Sequence, residues 1–525
     1  VTRSGKHLES NPAPVLQRHA AAALFCTLAI MLYPFALRAA SSDSLELNRK
    51  IDKILARYGQ LPENWGIVFR SLDKGDYLVS RNDQHGYMPA SNLKLLVTAV
   101  ALDALGPDFR YRTTVLADGS VSPGDSTLQG DLVLRGSGDP TISDRFFRST
   151  TAVWDELAEQ VHAAGIRHVS GALVADNSLF QPPFLADGWS WEDLTWWYAA
   201  PVSALSYNDN VIDLNAYPAQ VGEPPTLRIA PSSSVMNVIN RATTVADRSG
   251  DHLVISRETP GTAVVLTGGI YKGSLGYMEH VAVDSPGLFA ASAFLDALAR
   301  KGVRVDGPVR LVTDTEESDR IMGRAPSIVA QHESVPLTEI VRVILKRSHN
   351  FYAEQLLFTL GARQGRGGGF RQGIEVEQRL LRKLGVNMSK IRLEDGSGLS
   401  RLNLVTPDMF IRLLTFMHDH PAAEDYIASL PISGVDNGVR IMHSTPADGK
   451  IHAKTGYIAS VMSLSGYART LDGEPLVFSV LGNNWLISKV AARMVIRDIC
   501  VEVSQYRRGW KPGPEGMKQP PRHAE

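Results

Sequence analysis

Apolar residues recur at helical spacing across residues 45–58 (Leu45, Leu47, Ile51, Ile54, Leu55), which predicts a first helix. Two runs of strand-forming residues, 65–72 and 77–80, flank Asp73-Lys74-Gly75-Asp76 in a hairpin pattern. Next comes a turn, Tyr87-Met88-Pro89-Ala90, and then an apolar stretch that Gly106-Pro107 ends; this predicts a helix to about Leu105 with Ser91 in its first turn. From about Arg112 the texture changes to short strand-like runs punctuated by glycine and proline: 130–136, 169–174, 211–214, 226–229 and 262–266. Helical periodicity interrupts them at 152–165 and 287–301. After Ser327 helices return at 337–345, 350–361, 373–384 and 407–417. A strand over 450–469, a second over 474–482 and a helix over 488–506 complete the pattern.

These patterns predict a mixed α/β domain in two parts, 42–113 and 325–508, split by a β-rich insertion over 114–324 that divides into two subdomains. A length of 525 residues suits such an arrangement, and 44% hydrophobic content is that of a folded protein. The formal net charge of -1 gives no electrostatic reason to expect nucleic acid as a partner. Residues 509–525 are expected to be a disordered, solvated tail. At the other end, Arg18-His19, an uncharged run over 20–37 and the small residues Ala39-Ala40-Ser41-Ser42 read as a signal peptide over 1–41. A retained membrane anchor is the alternative, since the run is about long enough to span. Cleavage would leave Cys500 as the single cysteine, so stability would come from a buried core and not from an internal disulfide. The histidines and cysteines show no zinc-type spacing, and no cofactor or metal is expected.

The chemistry centres on Ser91-Asn92-Leu93-Lys94. On a helix, residues three apart leave the same face, so Lys94 can take the proton of the Ser91 hydroxyl. A second Ser-x-x-Lys, Ser71 to Lys74, falls on a strand and hairpin turn, where no shared helical face exists. Company in chain order raises the significance of Ser91. Ser348-His349-Asn350 lies at a break between two predicted helices, where a hydroxyl can relay a proton and an amide can orient a substrate or a lysine. Two other Ser-x-Asn triplets, at Ser80 and Ser206, fall in the hairpin and in the insertion. Lys454-Thr455-Gly456-Tyr457 opens a strand; its ammonium and hydroxyl can bind a substrate carboxylate, and Gly456 would let the substrate backbone approach closely. The N–H groups of Ser91 and of that strand's edge can form an oxyanion hole.

Ser-x-x-Lys, Ser-x-Asn and Lys-Thr-Gly in this order form the signature of penicillin-recognising serine hydrolases. The chain resembles the class C low-molecular-mass penicillin-binding proteins, the D-alanyl-D-alanine carboxypeptidase/endopeptidases. The long insertion, Leu105 to Arg110, Gly138-Asp139-Pro140-Thr141, Gly188 to Asp193 and Asp395 to Arg401 carry the likeness further. The resemblance implies a penicillin-binding/serine β-lactamase-like transpeptidase domain, with an antiparallel sheet flanked by helices. It implies Ser91 as the acylated nucleophile, Lys94 as its base and Ser348 as proton relay. Asn350, Lys454, Thr455 and Gly456 would hold substrate, the Tyr457 N–H would complete the oxyanion hole, and Asp193 would meet the free amine of a diaminopimelate side chain. Tyr457 stands where the family often has a small residue.

The implied partners are peptidoglycan stem peptides as substrates and β-lactam antibiotics as covalent inhibitors. The implied location is the periplasm, with loose attachment to the membrane left open. A serine β-lactamase on the same fold, and a non-catalytic wall-binding module, are the competing readings. The sequence sets no oligomeric state.

Overall fold

A computed structural model describes residues 42–232, 235–258 and 262–508. The segment 1–41, expected to be a signal peptide, and the segment 509–525, expected to be a tail, lie outside the described residues.

The central sheet has five antiparallel strands in the order Ile451–Ile458, Val461–Arg469, Pro475–Asn483, Trp65–Ser71, Tyr77–Arg81. Its strands therefore come from both ends of the chain, and neither end can complete the ladder alone. Both faces are covered, and Pro475–Asn483 is buried along its whole length. That burial accounts for its unbroken apolar run. The helices Ser42–Arg57 and Lys489–Gln505 pack together, joining Ile51, Leu55, Val495 and Ile499 to the core on one face of the sheet. Toward the other face, Lys94–Leu105 is enclosed by Leu337–Arg347, Asn350–Gln364, Phe370–Lys383 and Pro407–His418. Lys94 to Leu102 is buried without a break, as expected of a helix that is apolar all round.

A seven-stranded mixed sheet fills the middle of the chain. The antiparallel strands Arg112–Ser122, Thr127–Arg135 and Ser327–Glu333 form one side of it. The helices Ala152–Ala163 and Pro286–Arg300 bury Trp154, Leu157, Phe289 and Phe294 in a separate core beneath it. A three-stranded and a four-stranded sheet follow within residues 211–282.

Four local expectations are corrected. The single strand expected over 450–469 is a hairpin, Ile451–Ile458 and Val461–Arg469; Ser460 turns it at φ 58°, a conformation glycine usually supplies, so no glycine marked the turn. The strand expected over 169–174 is two, His168–Val169 and Leu173–Asp176, which pair at different places in the large sheet. Ser91 is not on the α-helix: it lies in a 3₁₀ turn, Ala90–Leu93, and the helix starts at Lys94. The helices Thr315–Gly323 and Ala423–Ala428 were not expected; at 9 and 6 residues they are too short to show a clear period.

Candidate active site

The turn holding Ser91 is set by what lies under it. Ala90 takes a left-handed φ of 47°, uncommon for a residue with a β-carbon, so surrounding contacts must over-determine it. Those contacts are close. A β-carbon on Gly398 would lie 1.9 Å from the Ala90 carbonyl oxygen, and one on Gly456 would lie 2.8 Å from Pro89 O and 3.0 Å from Ser91 N. Ser463 Oγ donates to Pro89 O at 2.7 Å and accepts from Asn92 Nδ2 at 2.5 Å. Gly456 thus lets the Lys454 strand press against the serine turn itself. That is a reason for a glycine there beside the room for substrate expected from the sequence.

Lys94 is fully buried, and its amine meets three oxygens. Nζ is 2.9 Å from Ser91 Oγ, and it donates to Asn350 Oδ1 at 2.7 Å and to Ser397 O at 2.7 Å. Burial pushes its pKa down to about 7, against the opposing pull of the Glu354 and Asp395 carboxylates. The alternative Ser71 is elsewhere: its Oγ accepts from the backbone N–H of Lys74 at 3.1 Å in the hairpin turn.

Ser348 sits at the C-terminal end of Leu337–Arg347 with a left-handed φ of 59°, and the next helix opens at Asn350. That break separates the two side chains of the triplet. Asn350 Oδ1 takes the Lys94 amine while its Nδ2 donates to Tyr198 O at 2.8 Å. Ser348 Oγ instead accepts from Lys454 Nζ at 2.9 Å. Lys454 is fully buried and also donates to the Thr455 carbonyl at 2.7 Å. Burial, reinforced by the Lys94 charge, holds its pKa well below the usual lysine range.

The strand carrying Lys454 is the edge of the sheet. Ala453 N donates outward, to Pro431 O at 2.9 Å. Backbone groups alternate sides along an antiparallel strand, so the N–H groups of Thr455 and Tyr457 also face the open edge. Tyr457 is half-exposed, with Lys489 Nζ 3.7 Å from its ring centroid.

Asp193 makes no direct hydrogen bond to these groups. Its Oδ1 accepts from Tyr198 OH at 3.0 Å, and Tyr198 is the residue whose carbonyl takes the Asn350 amide. The insertion reaches this region a second time through Asp209. Its carboxylate is paired with Arg145 Nη2 at 2.6 Å and His349 Nε2 at 3.2 Å, and it accepts from Tyr352 OH at 2.9 Å. Burial opposes that charge, but His349 and Arg145 prevail and hold the carboxyl well below its usual range.

The family-like stretch 395–401 has a direct contact with the site, the Ser397 carbonyl on Lys94. Backbone carbonyls carry no sequence signature, though the four-residue spacing of Asn350 and Glu354 on one helix hinted at a second polar group on that face. Among the described residues no cluster of His, Cys, Asp and Glu could hold a metal ion.

Residues 47–505 match the D-Ala-D-Ala carboxypeptidase 3 (S13) family. A D-alanyl-D-alanine carboxypeptidase of Actinomadura sp. (strain R39) is 33% identical over 489 residues, which is 90% of this chain and 87% of that protein. The D-alanyl-D-alanine carboxypeptidase DacB of Haemophilus influenzae is 28% identical over 80% of this chain and 85% of its own length. The crystal structure of penicillin binding protein 4 from Haemophilus influenzae superposes with a TM-score of 0.75 at 22% identity, covering 87% of this chain and 99% of that one; the likeness is of fold.

Proposed function

Because the chain belongs to the D-Ala-D-Ala carboxypeptidase 3 (S13) family and is a serine-type hydrolase of that kind, we propose that it cleaves peptidoglycan stem peptides through an acyl-enzyme on Ser91. The carrying observation is the Lys94 amine, fully buried and 2.9 Å from Ser91 Oγ. A neutral amine has two hydrogens and one lone pair. With the hydrogens on Asn350 Oδ1 and Ser397 O, the lone pair turns to the Ser91 hydroxyl. Ser91 then loses its proton to Lys94 as its oxygen attacks the carbonyl of the penultimate D-alanine. The negative charge that develops on the carbonyl oxygen is met by the N–H groups of Ser91 and Tyr457.

Collapse of the tetrahedral centre breaks the amide bond. The leaving amine takes its proton by way of Ser348, which Lys454 holds at 2.9 Å. Lys454 and the Thr455 hydroxyl receive the substrate's terminal carboxylate. Water then cleaves the ester by the reverse use of the same groups.

The same steps serve the D-Ala–D-Ala bond (carboxypeptidase) and the D-Ala–diaminopimelate cross-link (endopeptidase). Asp193 would meet the free amine of the diaminopimelate side chain. A β-lactam presents a strained amide and a carboxylate to the same groups, and one relative of this fold, the Haemophilus influenzae penicillin binding protein 4, was crystallised with a β-lactam. Peptidoglycan as substrate supports export to the periplasm by the leader at 1–41, with membrane attachment of the exported enzyme left as a second arrangement.

Intact-mass and peptide mass spectrometry after penicillin treatment tests the reading. A single persistent adduct on Ser91, absent in Ser91→Ala together with D-alanine release, is expected. Rapid turnover of the drug, or an adduct on another residue, would overturn it.

A further inference from the structure

Behind Lys94 lies a group of three fully buried carboxyl groups that the reaction does not touch: Asp395, Glu354 and Glu377. They differ in the N–H groups they receive. Asp395 has four: Gly398 N at 2.8 Å and Asn403 Nδ2 at 2.8 Å on one oxygen, Ser400 N at 2.7 Å and Trp189 Nε1 at 2.9 Å on the other. Glu354 has two, Gly396 N and Ser397 N, each at 2.8 Å. Neither oxygen of Glu377 has a hydrogen-bond partner.

Helix register brings them together. Glu354 is one turn beyond Asn350, so one helix face carries both. Phe370–Lys383 runs back along it, with Gly373 so close that a β-carbon there would lie 2.3 Å from Leu357 O. One turn further, Glu377 comes level with Glu354. Three like charges cannot share a dry interior, and hydrogen-bond donors decide which of them ionise. Asp395, with four donors, carries a charge, while Glu377, with none, is a neutral acid. Glu354 lies between the two, and Ser397 links it to the site: its N–H is on Glu354 and its carbonyl is on Lys94.

We propose that Glu354 is a positioning residue for Lys94, fixing the Ser397 carbonyl that the amine donates to, with Glu377 neutral behind it. The inference rests on the reading of Lys94 as base. Burial and the Asp395 charge push Glu354 up to about 8, above Lys94 at about 7, so as pH falls the glutamate takes its proton before the lysine does and holds the loop as a neutral acceptor. The titratable groups facing Lys94 are Lys454 from the edge strand, Glu354 from its helix and Asp395 from the loop. Burial favours the free amine and the two carboxylates, when ionised, oppose it.

The test is the rate of Ser91 acylation by a fluorescent penicillin as a function of pH. Glu354→Ala removes the acceptor of the Ser397 N–H, so the Ser397 carbonyl turns off the Lys94 ammonium and the acid limb moves to lower pH, while Glu354→Gln keeps a neutral acceptor oxygen and restores the wild-type limb. One unit below the wild-type limb, Glu354→Ala keeps several-fold more of its own plateau rate. An unmoved limb under a lowered plateau in Glu354→Ala, or a limb that Glu354→Gln displaces as far, is the mark of a purely structural role and overturns the proposal.

Glu377→Gln, neutral for neutral, covers the case in which the first variant fails to fold. It leaves the limb in place and removes a protonated-carboxyl C=O band from the infrared spectrum of the whole protein. A limb displaced in Glu377→Gln, or a spectrum with no such band to lose, counts against the charge order. If penicillin does not label Ser91 in the wild type, the reading of the base falls, while the infrared band still judges the charge order.

Discussion

Lys94 is the residue on which the chemistry turns, and its environment makes a pH prediction with a definite sign. Burial disfavours the ammonium form and brings the pKa to about 7. The amine is free above that value and blocked by its proton below it. Acylation by penicillin should therefore rise with pH through the neutral range and fall with unit slope on the acid side, in stopped-flow or gel-based labelling. Ser91 and Lys94 were legible as a pair because three-residue spacing carries geometry with it. Their reach to Asn350 and Ser397 was not, since those contacts cross 256 and 303 positions of chain. Glu354 and Glu377, and the burial of Asp395 within its family-like stretch, escaped notice for a related reason: a carboxylate in a sequence gives no sign of whether it will be dry.

At the scale of elements, the site is a meeting of a turn, a helix break, a strand edge and a loop. The loop 395–401 is held by its own carboxylate, since Asp395 accepts the N–H groups of Gly398 and Ser400. Gly398 has φ 79° and abuts the Ala90 carbonyl, so a side chain there is disfavoured twice, by backbone and by space. Gly398→Ala should cost about 1–3 kcal/mol in urea denaturation. It should also slow Ser91 acylation far more than the stability loss explains, because the loop retreats and takes the Ser397 carbonyl off Lys94. A full wild-type acylation rate in a folded Gly398→Ala protein would show that the loop does not position the amine. The hairpin at Ser460 and the turn at Ala90 teach a common lesson. Non-glycine residues in left-handed conformations are imposed by tertiary contacts, and local propensity does not announce them.

On the scale of the whole molecule, the insertion is tied into the Ser348 break by the partly buried Asp209 cluster. Removing Asp209 leaves His349 and Tyr352 without that partner. Asp209→Ala should lower stability by about 1–2 kcal/mol at neutral pH, read from the urea midpoint. Its acid behaviour follows from linkage. The carboxyl is held below its unfolded value, so its contribution is complete above about pH 4 and is lost as pH falls through the lower folded value. The stability gap between wild type and Asp209→Ala should therefore close in acid. A gap that is constant or widens there would mean that the charge of Asp209 does not hold the cluster.

What the sequence alone determined is what short-range geometry and pattern encode: most helices and strands, the mixed α/β class with its β-rich middle, and three motifs in order with the family likeness they carry. The fold of Haemophilus influenzae penicillin binding protein 4, with a TM-score of 0.75, agrees with that class. Tertiary structure decided how the motifs divide their work. Lys94 draws in Asn350, while Lys454 takes Ser348, because a left-handed residue at the helix break aims side chains two positions apart at different lysines. It also decided that Ser91 precedes its helix, that Gly456 serves the serine turn, and that a backbone carbonyl and a buried glutamate stand behind the base. Each of these depends on desolvation and on contacts between segments hundreds of residues apart, and neither quantity exists until the chain has closed on itself.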